Sequence, residues 1–530
     1  MALMEYHHDQ DAFIRSLILL PSAVLLLLTF YLISLAIYNV WFHPLASFPG
    51  PKAFAASRIP YLRLALTGRL VFTVAELHDR YGDVVRIGPD ELSFINPTAW
   101  KDIYGHRQGH LSFQKDPMLY NTDTRGARAL LSAFDADHTR MRRLLSHAFS
   151  EKALKEQEPV LQSYADLMID GLHKQVKGAA RGRVDIVKWY NWTTFDVIGD
   201  LSFGEPFNCL KDSKYHPWVS LVFDSVKSGV MINATKRFPK MLAKYIRPFF
   251  VSRSMYQKRL DHDNFSRDKV DRRMAMQTDR KDFLAYILRH NDEKGMKREE
   301  IYANAALLIL AGSETTATLL SGVTYHLLKN PETLKTLVAE IRGAFTSDED
   351  IHLAALNELK YLRAVLQEGL RMYPPVPGSM TRRVPPQGDS VCGLWVPGNT
   401  AVSVPQYACF HSDSNFHAAD SFMPERWLPS SSDADSVFAG DSKTALQPFS
   451  VGPRNCIGKN LALSEMRLLL SKLLFHFDMQ LERGTACVHE NEIENEKKND
   501  DTNNINDWVK SQTIYTLWQK GPLMVRLSER

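Results

Sequence analysis

Cys456 lies in the run Phe449-Ser450-Val451-Gly452-Pro453-Arg454-Asn455-Cys456-Ile457-Gly458. The spacing F-x-x-G-x-R-x-C-x-G surrounds one sulfur with groups that suit a thiolate ligand of haem iron. A thiolate in that position pushes electron density onto the metal and favours O–O cleavage. Gly452 permits a tight turn, so that backbone N–H groups can point at the sulfur. Gly458 lets the helix that follows approach the porphyrin closely, and Phe449 shields the sulfur from water. Arg454 is placed to reach a haem propionate through charge-assisted hydrogen bonds. The residues also admit a plainer alternative, a buried structural cysteine between two turn glycines.

Other residues point to proton handling and to ion pairs. Ala306-Leu307-Leu308-Ile309-Leu310-Ala311-Gly312-Ser313-Glu314-Thr315-Thr316 lies in a long apolar helical pattern. Gly312 costs a helix about 1 kcal/mol relative to alanine, and a glutamate in such company is costly to bury. Glu314 and Thr315 are therefore candidates for chemistry, the alternative being a solvent-facing pair on an amphipathic helix. Glu368 and Arg371 share a helix face, where an ordinary surface ion pair would be worth little. His138-Thr139-Arg140-Met141-Arg142-Arg143 offers a basic helix face.

The elements that must hold these residues can be read from periodicity. Helical pattern dominates from about Thr139 to Phe345, with a stop and a Pro-led restart at Asn330-Pro331. Leu356 to Met372 and Asn460 to Phe475 are further helices, the second directly after the cysteine loop. Leu92 to Asn96 reads as a short edge strand. Val376 to Phe422 is punctuated by Gly and Pro like short strands, and Tyr515 to Leu527 returns to strand-like alternation. His489 to Asp507 is polar, without aromatics, and reads as a solvated insert. The fold expected is mainly α with small β-sheets.

The chain has 530 residues, 45% hydrophobic and 23% charged, which is ample for a core. A net charge of only +4 argues against a nucleic-acid partner. Five scattered cysteines argue for a reducing compartment rather than a disulfide scaffold. Ser16 to Val40 is almost wholly apolar and long enough to cross a bilayer. Trp41, Phe42 and His43 follow as at a membrane interface, and no convincing signal-peptide cleavage site is present. Glu5, Asp9, Asp11 and Arg15 precede the segment; Lys52, Arg58, Arg63 and Arg69 follow it. The positive-inside rule then puts residues 1–15 in the lumen, 16–40 in the membrane and the body in the cytosol, after a Pro-rich linker at 41–53. Between Lys236 and Phe250, Phe238, Met241, Leu242, Tyr245, Ile246, Phe249 and Phe250 alternate with basic residues. This is either a short buried helix or a second, monotopic membrane contact. Asn191 and Asn233 head glycosylation sequons that a cytosolic body would leave unused.

The run around Cys456 resembles the haem-binding loop of cytochromes P450. Ala311-Gly312-Ser313-Glu314-Thr315 resembles the family's A-G-x-[DE]-T pattern, and Glu368-Gly369-Leu370-Arg371 its E-x-x-R pair. Phe422-Met423-Pro424-Glu425-Arg426-Trp427 resembles the segment whose arginine completes a buried triad. His138 to Arg142 is similar to the family's W-x-x-x-R, with His138 where Trp is usual. The resemblance covers nearly the whole chain. Trp189 to Asp196 and Tyr515 to Trp518 are similar to fungal secondary-metabolism members near the isotrichodermin C-15 hydroxylase group.

The resemblance implies one catalytic domain over 54–530, anchored in the endoplasmic reticulum membrane by a single span. Haem b would sit on Cys456, with Arg142, Arg382, Arg454 and His138 near its propionates and Phe449, Gly452 and Gly458 shaping its loop. In the family the glycine at Gly312 permits a local opening of the helix, where oxygen and water can sit. Thr315 would hydrogen-bond to dioxygen and Glu314 would feed protons through water. Glu368, Arg371 and Arg426 would keep the loop in register. Ala311, Thr316, Val376 and Pro377 would line the substrate pocket. The implied reaction is monooxygenation of an apolar small molecule with O2, electrons coming from NADPH through cytochrome P450 reductase, with cytochrome b5 as a possible second donor. A P450-fold isomerase or dehydratase without reductase dependence, or a non-catalytic haem binder, are the alternatives.

Overall fold

The apolar N-terminal run is helical: helix α1, Ala2–Ile37, passes into a π-helical turn at Tyr38–Phe42. The computed structural model describes residues 2–120, 122–236, 245, 247–276, 278, 280–289, 291, 295–482 and 507–530. Within α1 and the turn, Ser22–Phe42 is long and apolar enough to cross a membrane, and its large side chains from Val24 to Ile37 are exposed. The Pro-rich stretch at 41–53, read as a stiff linker, lies against the body, with Leu45 and Phe48 in its second hydrophobic cluster. Asn39 is buried and donates to Ala56 O at 3.1 Å, and Leu45 is fully buried. Pro49 O accepts Arg86 N–H at 2.7 Å.

The body is built around helices that cross near its centre. They include α2 (Asp135–Leu145), α3 (Ile186–Phe203), α4 (Arg298–Lys329), α5 (Lys360–Met372) and α6 (Lys459–His476). Asn330 ends α4 and Pro331 opens the next helix, Pro331–Ala344, because Pro is tolerated where the first N–H has no intrahelical partner. α4 packs against α3, α5 and α6. It is apolar enough to pass for a span, but about two thirds of that window is buried in protein, so it is a core helix. The expected helix Leu356–Met372 is divided into Leu353–Leu356 and α5, with Asn357 capping the first piece.

The sheets are small and peripheral. In the five-stranded one, Glu91–Phe94 lies between Val84–Gly88 and Ala401–Ser403, followed by Arg382–Arg383 and Gln114–Lys115. The expected edge strand is thus internal, paired on one side antiparallel and on the other parallel. Arg183–Asp185, Met524–Glu529 and Phe477–Leu481 form a three-stranded antiparallel sheet. Thr513–Tyr515 and Leu517–Gln519 make a separate hairpin, so the last alternating stretch feeds two sheets. The polar insert lies outside the described residues apart from Asp507. In the 236–250 stretch, 237–244 and 246 also lie outside them. Tyr245, Phe249 and Phe250 are exposed, Phe249 at 88% and Phe250 at 38%.

Candidate active site

The loop before α6 is fixed by backbone geometry. Gly452 has φ +76°, and an added Cβ there would meet Tyr104 O at 2.1 Å, so only glycine fits. Cys456 N–H donates to Phe449 O at 2.8 Å, which closes the loop. Phe449 packs against the core, and the Lys459 ammonium stands 5.7 Å from its ring. The Cys456 side chain is solvent-accessible, yet protein surrounds it closely. Burial therefore raises its thiol pKa, while the Gly458 N–H and the charges of Arg142 and Lys459 oppose that shift. Those opposing groups are the ones that stabilise a thiolate.

α2 clamps the loop from two sides. Arg142 donates to Asn455 O at 2.7 Å and to Asn455 Oδ1 at 2.6 Å. Arg454 donates to Asp135 Oδ1 at 2.7 Å and to Ala133 O at 2.9 Å. Both arginines, expected at haem propionates, thus spend hydrogen bonds on bracing the loop; Arg142 is committed to it through both terminal nitrogens.

Beside this clamp lies a cavity of about 220 Å³, whose lining includes Tyr104, Phe113, His138, Arg382, Pro453 and Arg454. Arg382 is buried, its Nε has no hydrogen-bond acceptor, and no carboxylate pairs with it among the described residues. Lys115, its cross-strand neighbour, is buried behind the lining, and its ammonium donates to Leu131 O. Burial, then repulsion from Arg382 and Arg454, pushes the Lys115 ammonium down to about 6. Burial, then Arg454, Arg142 and Lys115, pushes His138 down to about 4. The Tyr120 hydroxyl is buried without a partner, and the Lys115 ammonium sits 4.3 Å from its ring. A pocket with this surplus of positive charge and unmet donors is short of an anion. Haem propionates fit it. Gly458 fits the same group: an added Cβ would meet only Phe149, at 3.7 Å, so no protein atom demands glycine there. Lys115 and Tyr120 carry no motif, and only their place in the fold reveals them.

α4 presents an accessible stripe within its buried length. Ala311 is exposed and Leu307 and Thr315, one turn away on either side, are half-exposed. The Thr315 hydroxyl donates to Ala311 O at 2.6 Å. Thr316, expected in the substrate pocket, is buried on another side, where its hydroxyl hydrogen-bonds Glu465 of α6. Glu465 is buried without a cation, and burial pushes its carboxyl up to about 8. A glutamate amid the leucines of α6 is the signal that marks it. Val376 is half-buried and Pro377 buried, with Pro377 O accepting Tyr407 N–H at 2.9 Å. Gly312 does not open the helix, which runs unbroken. An added Cβ would meet Ile198 Cδ1 at 2.5 Å, so glycine lets α4 cross α3 closely.

Glu314 does not face the stripe. It is fully buried and ion-paired with Lys520, a residue with no motif around it. Thr318 Oγ1 donates to Glu314 Oε1 at 3.2 Å and accepts from Lys520 Nζ at 2.7 Å. Glu314 Oε2 is buried without a partner.

Glu368, Arg371 and Arg426 are fully buried and joined. Arg371 donates to both Glu368 oxygens, at 2.9 and 2.8 Å, and Arg426 Nε to Oε1 at 3.1 Å. Met423 N–H and Trp427 Nε1–H add bonds at 2.9 and 2.8 Å. Arg426 also pairs with Asp441 at 2.5 Å. Despite burial, the two arginines hold the Glu368 carboxyl below its ordinary range. The network reaches the segment from Phe410 to Asp441 that leads into the cysteine loop, and so braces the loop at one remove.

The cytochrome P450 family model matches residues 52–498. Cytochrome P450 monooxygenase astJ of Aspergillus oryzae is 46% identical over 495 residues, 93% of this chain and 94% of that protein. Cytochrome P450 monooxygenase efuB of Hormonema carpetanum is 44% identical over 502 residues, 94% of each. Averantin hydroxylase of Dothistroma septosporum is 41% identical over 494 residues, 93% of this chain and 88% of that protein. With matches of that length and identity, the chain belongs to the cytochrome P450 family and is one of its monooxygenases.

Proposed function

We propose that this monooxygenase hydroxylates, epoxidises or oxidatively cyclises an apolar small molecule of a fungal secondary-metabolite pathway, with electrons passed from NADPH by a membrane-bound reductase. The observation that carries the reading is the Cys456 sulfur: accessible, facing the Gly458 N–H, and held in a loop clamped by Arg142 and Arg454 beside a pocket short of an anion. Haem bound there would supply oxygen activation and insertion. Cys456 would hold the iron, while Arg382, Lys115, Tyr120 and His138 would hold the propionates. Ala311 would leave room for substrate, and Thr315 would hold a proton at its hydroxyl within the site. Glu314 would return protons to Thr315. The averantin hydroxylase relative supports hydroxylation of a small molecule. The apolar span and the charges around it support an anchor in the endoplasmic reticulum, with the body in the cytosol.

The withdrawal of Glu314 from the stripe gives a reductase-independent isomerase or dehydratase one point in its favour. NADPH-dependent oxygen consumption with reductase separates the two. Deleting the gene and identifying the metabolite that accumulates would name the substrate. If oxygen consumption is nil while a metabolite is isomerised or dehydrated, the monooxygenase reading fails.

A further inference from the structure

We propose that Arg86 heads a binding site for the phosphate of an anionic phospholipid, at the foot of the membrane span, completed by His43 and Lys52. The site is separate from the haem pocket and rests on the membrane-anchor reading above. Arg86 lies on the strand Val84–Gly88. Its neighbours Val85 and Ile87 enter the second hydrophobic cluster, and side chains alternate along a strand, so Arg86 turns the other way, towards the juxtamembrane stretch. That stretch covers it closely: Pro49 O accepts its N–H, and an added Cβ on Gly50 would meet Arg86 O at 2.5 Å. Arg86 is 2% exposed. Its Nε is buried without an acceptor, and its one side-chain hydrogen bond among the described residues runs from Nη2 to Pro89 O at 2.7 Å. Asp90, whose charge it feels, is taken by Arg58 and, at 2.7 Å, by Arg383. Glu91 is paired with Arg58 as well.

A guanidinium keeps its proton at any physiological pH. Burial therefore leaves a whole charge with one carbonyl to meet it, which is costly unless an anion pairs with it. A guanidinium fork also matches phosphate oxygens in two parallel bonds. The surroundings decide which anion. The span ends in the turn Tyr38–Phe42, where Trp41 and Phe42 are exposed as at headgroup level. Lys52 is exposed, and its ammonium stands 5.8 Å from the centroid of the Trp41 ring. Among the described residues, no carboxylate pairs with Lys52. His43 Nδ1 accepts Leu45 N–H at 3.1 Å, so the neutral ring carries its proton on Nε2 and can donate there. Burial, then the Arg86 charge, lowers the His43 pKa, as befits a ring beside an uncompensated cation. Two cations and an imidazole N–H thus meet where the chain leaves the bilayer. The anion of that layer is the lipid phosphate. The surplus of positive charge favours an anionic lipid over phosphatidylcholine, whose own ammonium cancels its phosphate.

The test uses the full-length holoprotein in nanodiscs of phosphatidylcholine, with and without phosphatidic acid. Released into detergent, the wild type should retain phosphatidic acid in native mass spectra, in preference to phosphatidylcholine. Its thermal unfolding midpoint should rise with that lipid, because a ligand of the folded state stabilises it. Arg86→Met takes the charge out of the core, so in phosphatidylcholine it should fold at least as well as wild type. It should lose both the retained lipid and the rise in midpoint. Lys52→Gln changes an exposed residue and keeps the fold; it should weaken retention about fivefold. Equal retention of the two lipids would overturn the site, as would phosphatidic acid held alike by wild type, Arg86→Met and Lys52→Gln. Inorganic phosphate, added to the protein in detergent, forms a second arm. An Arg86-dependent rise in midpoint with phosphate, and none with phosphatidic acid, would overturn the lipid as its source. A chain that does not enter the discs would refute the anchor and this site with it, whereas a chain that enters without lipid preference refutes the site alone.

Discussion

At the scale of single residues, the Glu368–Arg371 pair was legible because the two lie three apart on one helix face, whereas Arg426 joins them from a segment far along the chain. Cys456→Ala should abolish the absorption band of the reduced CO complex that is typical of thiolate-bound haem; an unchanged spectrum would move the ligand elsewhere. Glu368→Ala and Arg371→Ala each strand a fully buried charge, at a cost of about 3–5 kcal/mol. Both should yield little holoprotein, which haem content per chain measures. Lys115, Tyr120 and Lys520 were not legible, since each matters through a partner that only the fold supplies. Lys115 leads to a pH prediction. Its pKa of about 6 rises when propionates enter, so binding takes up a proton at pH values above that. Haem retention should then weaken as pH rises from about 6 towards the raised value. Haem loss to an excess of scavenger protein, measured at several pH values, should show that slope, and Lys115→Met should flatten it.

At the scale of elements, the long central helix, the helix after the cysteine and the Asn330-Pro331 break were plain from periodicity and Pro chemistry. The strands were less so: Glu91–Phe94 lies inside a sheet because its parallel partner, Ala401–Ser403, is about 300 residues away. Gly312 was legible as special but for a different cause, the α3–α4 crossing. Gly312→Ala should destabilise the fold by about 1–3 kcal/mol through overpacking against Ile198, measured by denaturant unfolding. Ile198→Ala in the same chain should recover part of the loss, and additive losses would show that the contact is not the cause. The sequons divide in the same way. Asn191 is 3% exposed inside α3 and bonded to Tyr215, so it should carry no glycan in any compartment. Asn233 is only half-buried, with Nδ2 on Leu119 O at 2.8 Å. It is therefore the informative site: a mobility shift lost in Asn233→Gln would reverse the membrane topology.

At the scale of the whole molecule, the membrane side rests on the apolar span and on the exposed Tyr245, Phe249 and Phe250. Deleting residues 1–43 should leave reversible, salt-sensitive binding to anionic vesicles. Apolar burial contributes about 25 cal/mol per Å², and each basic residue near the surface about 1 kcal/mol. Phe249→Ser with Phe250→Ser should shift the truncated protein to the supernatant; a truncated parent already wholly soluble at low salt removes the second contact. The join between span and body has a mechanical consequence. With Asn39 fastened to Ala56 and Leu45 sunk in the core, the span is a spoke fixed to a hub rather than a rope. A helix longer than the local hydrocarbon thickness tilts to fit it. A rigid join would turn that tilt into a rotation of the hub, so that bilayer thickness sets how deep the body's apolar flank rides in the headgroups.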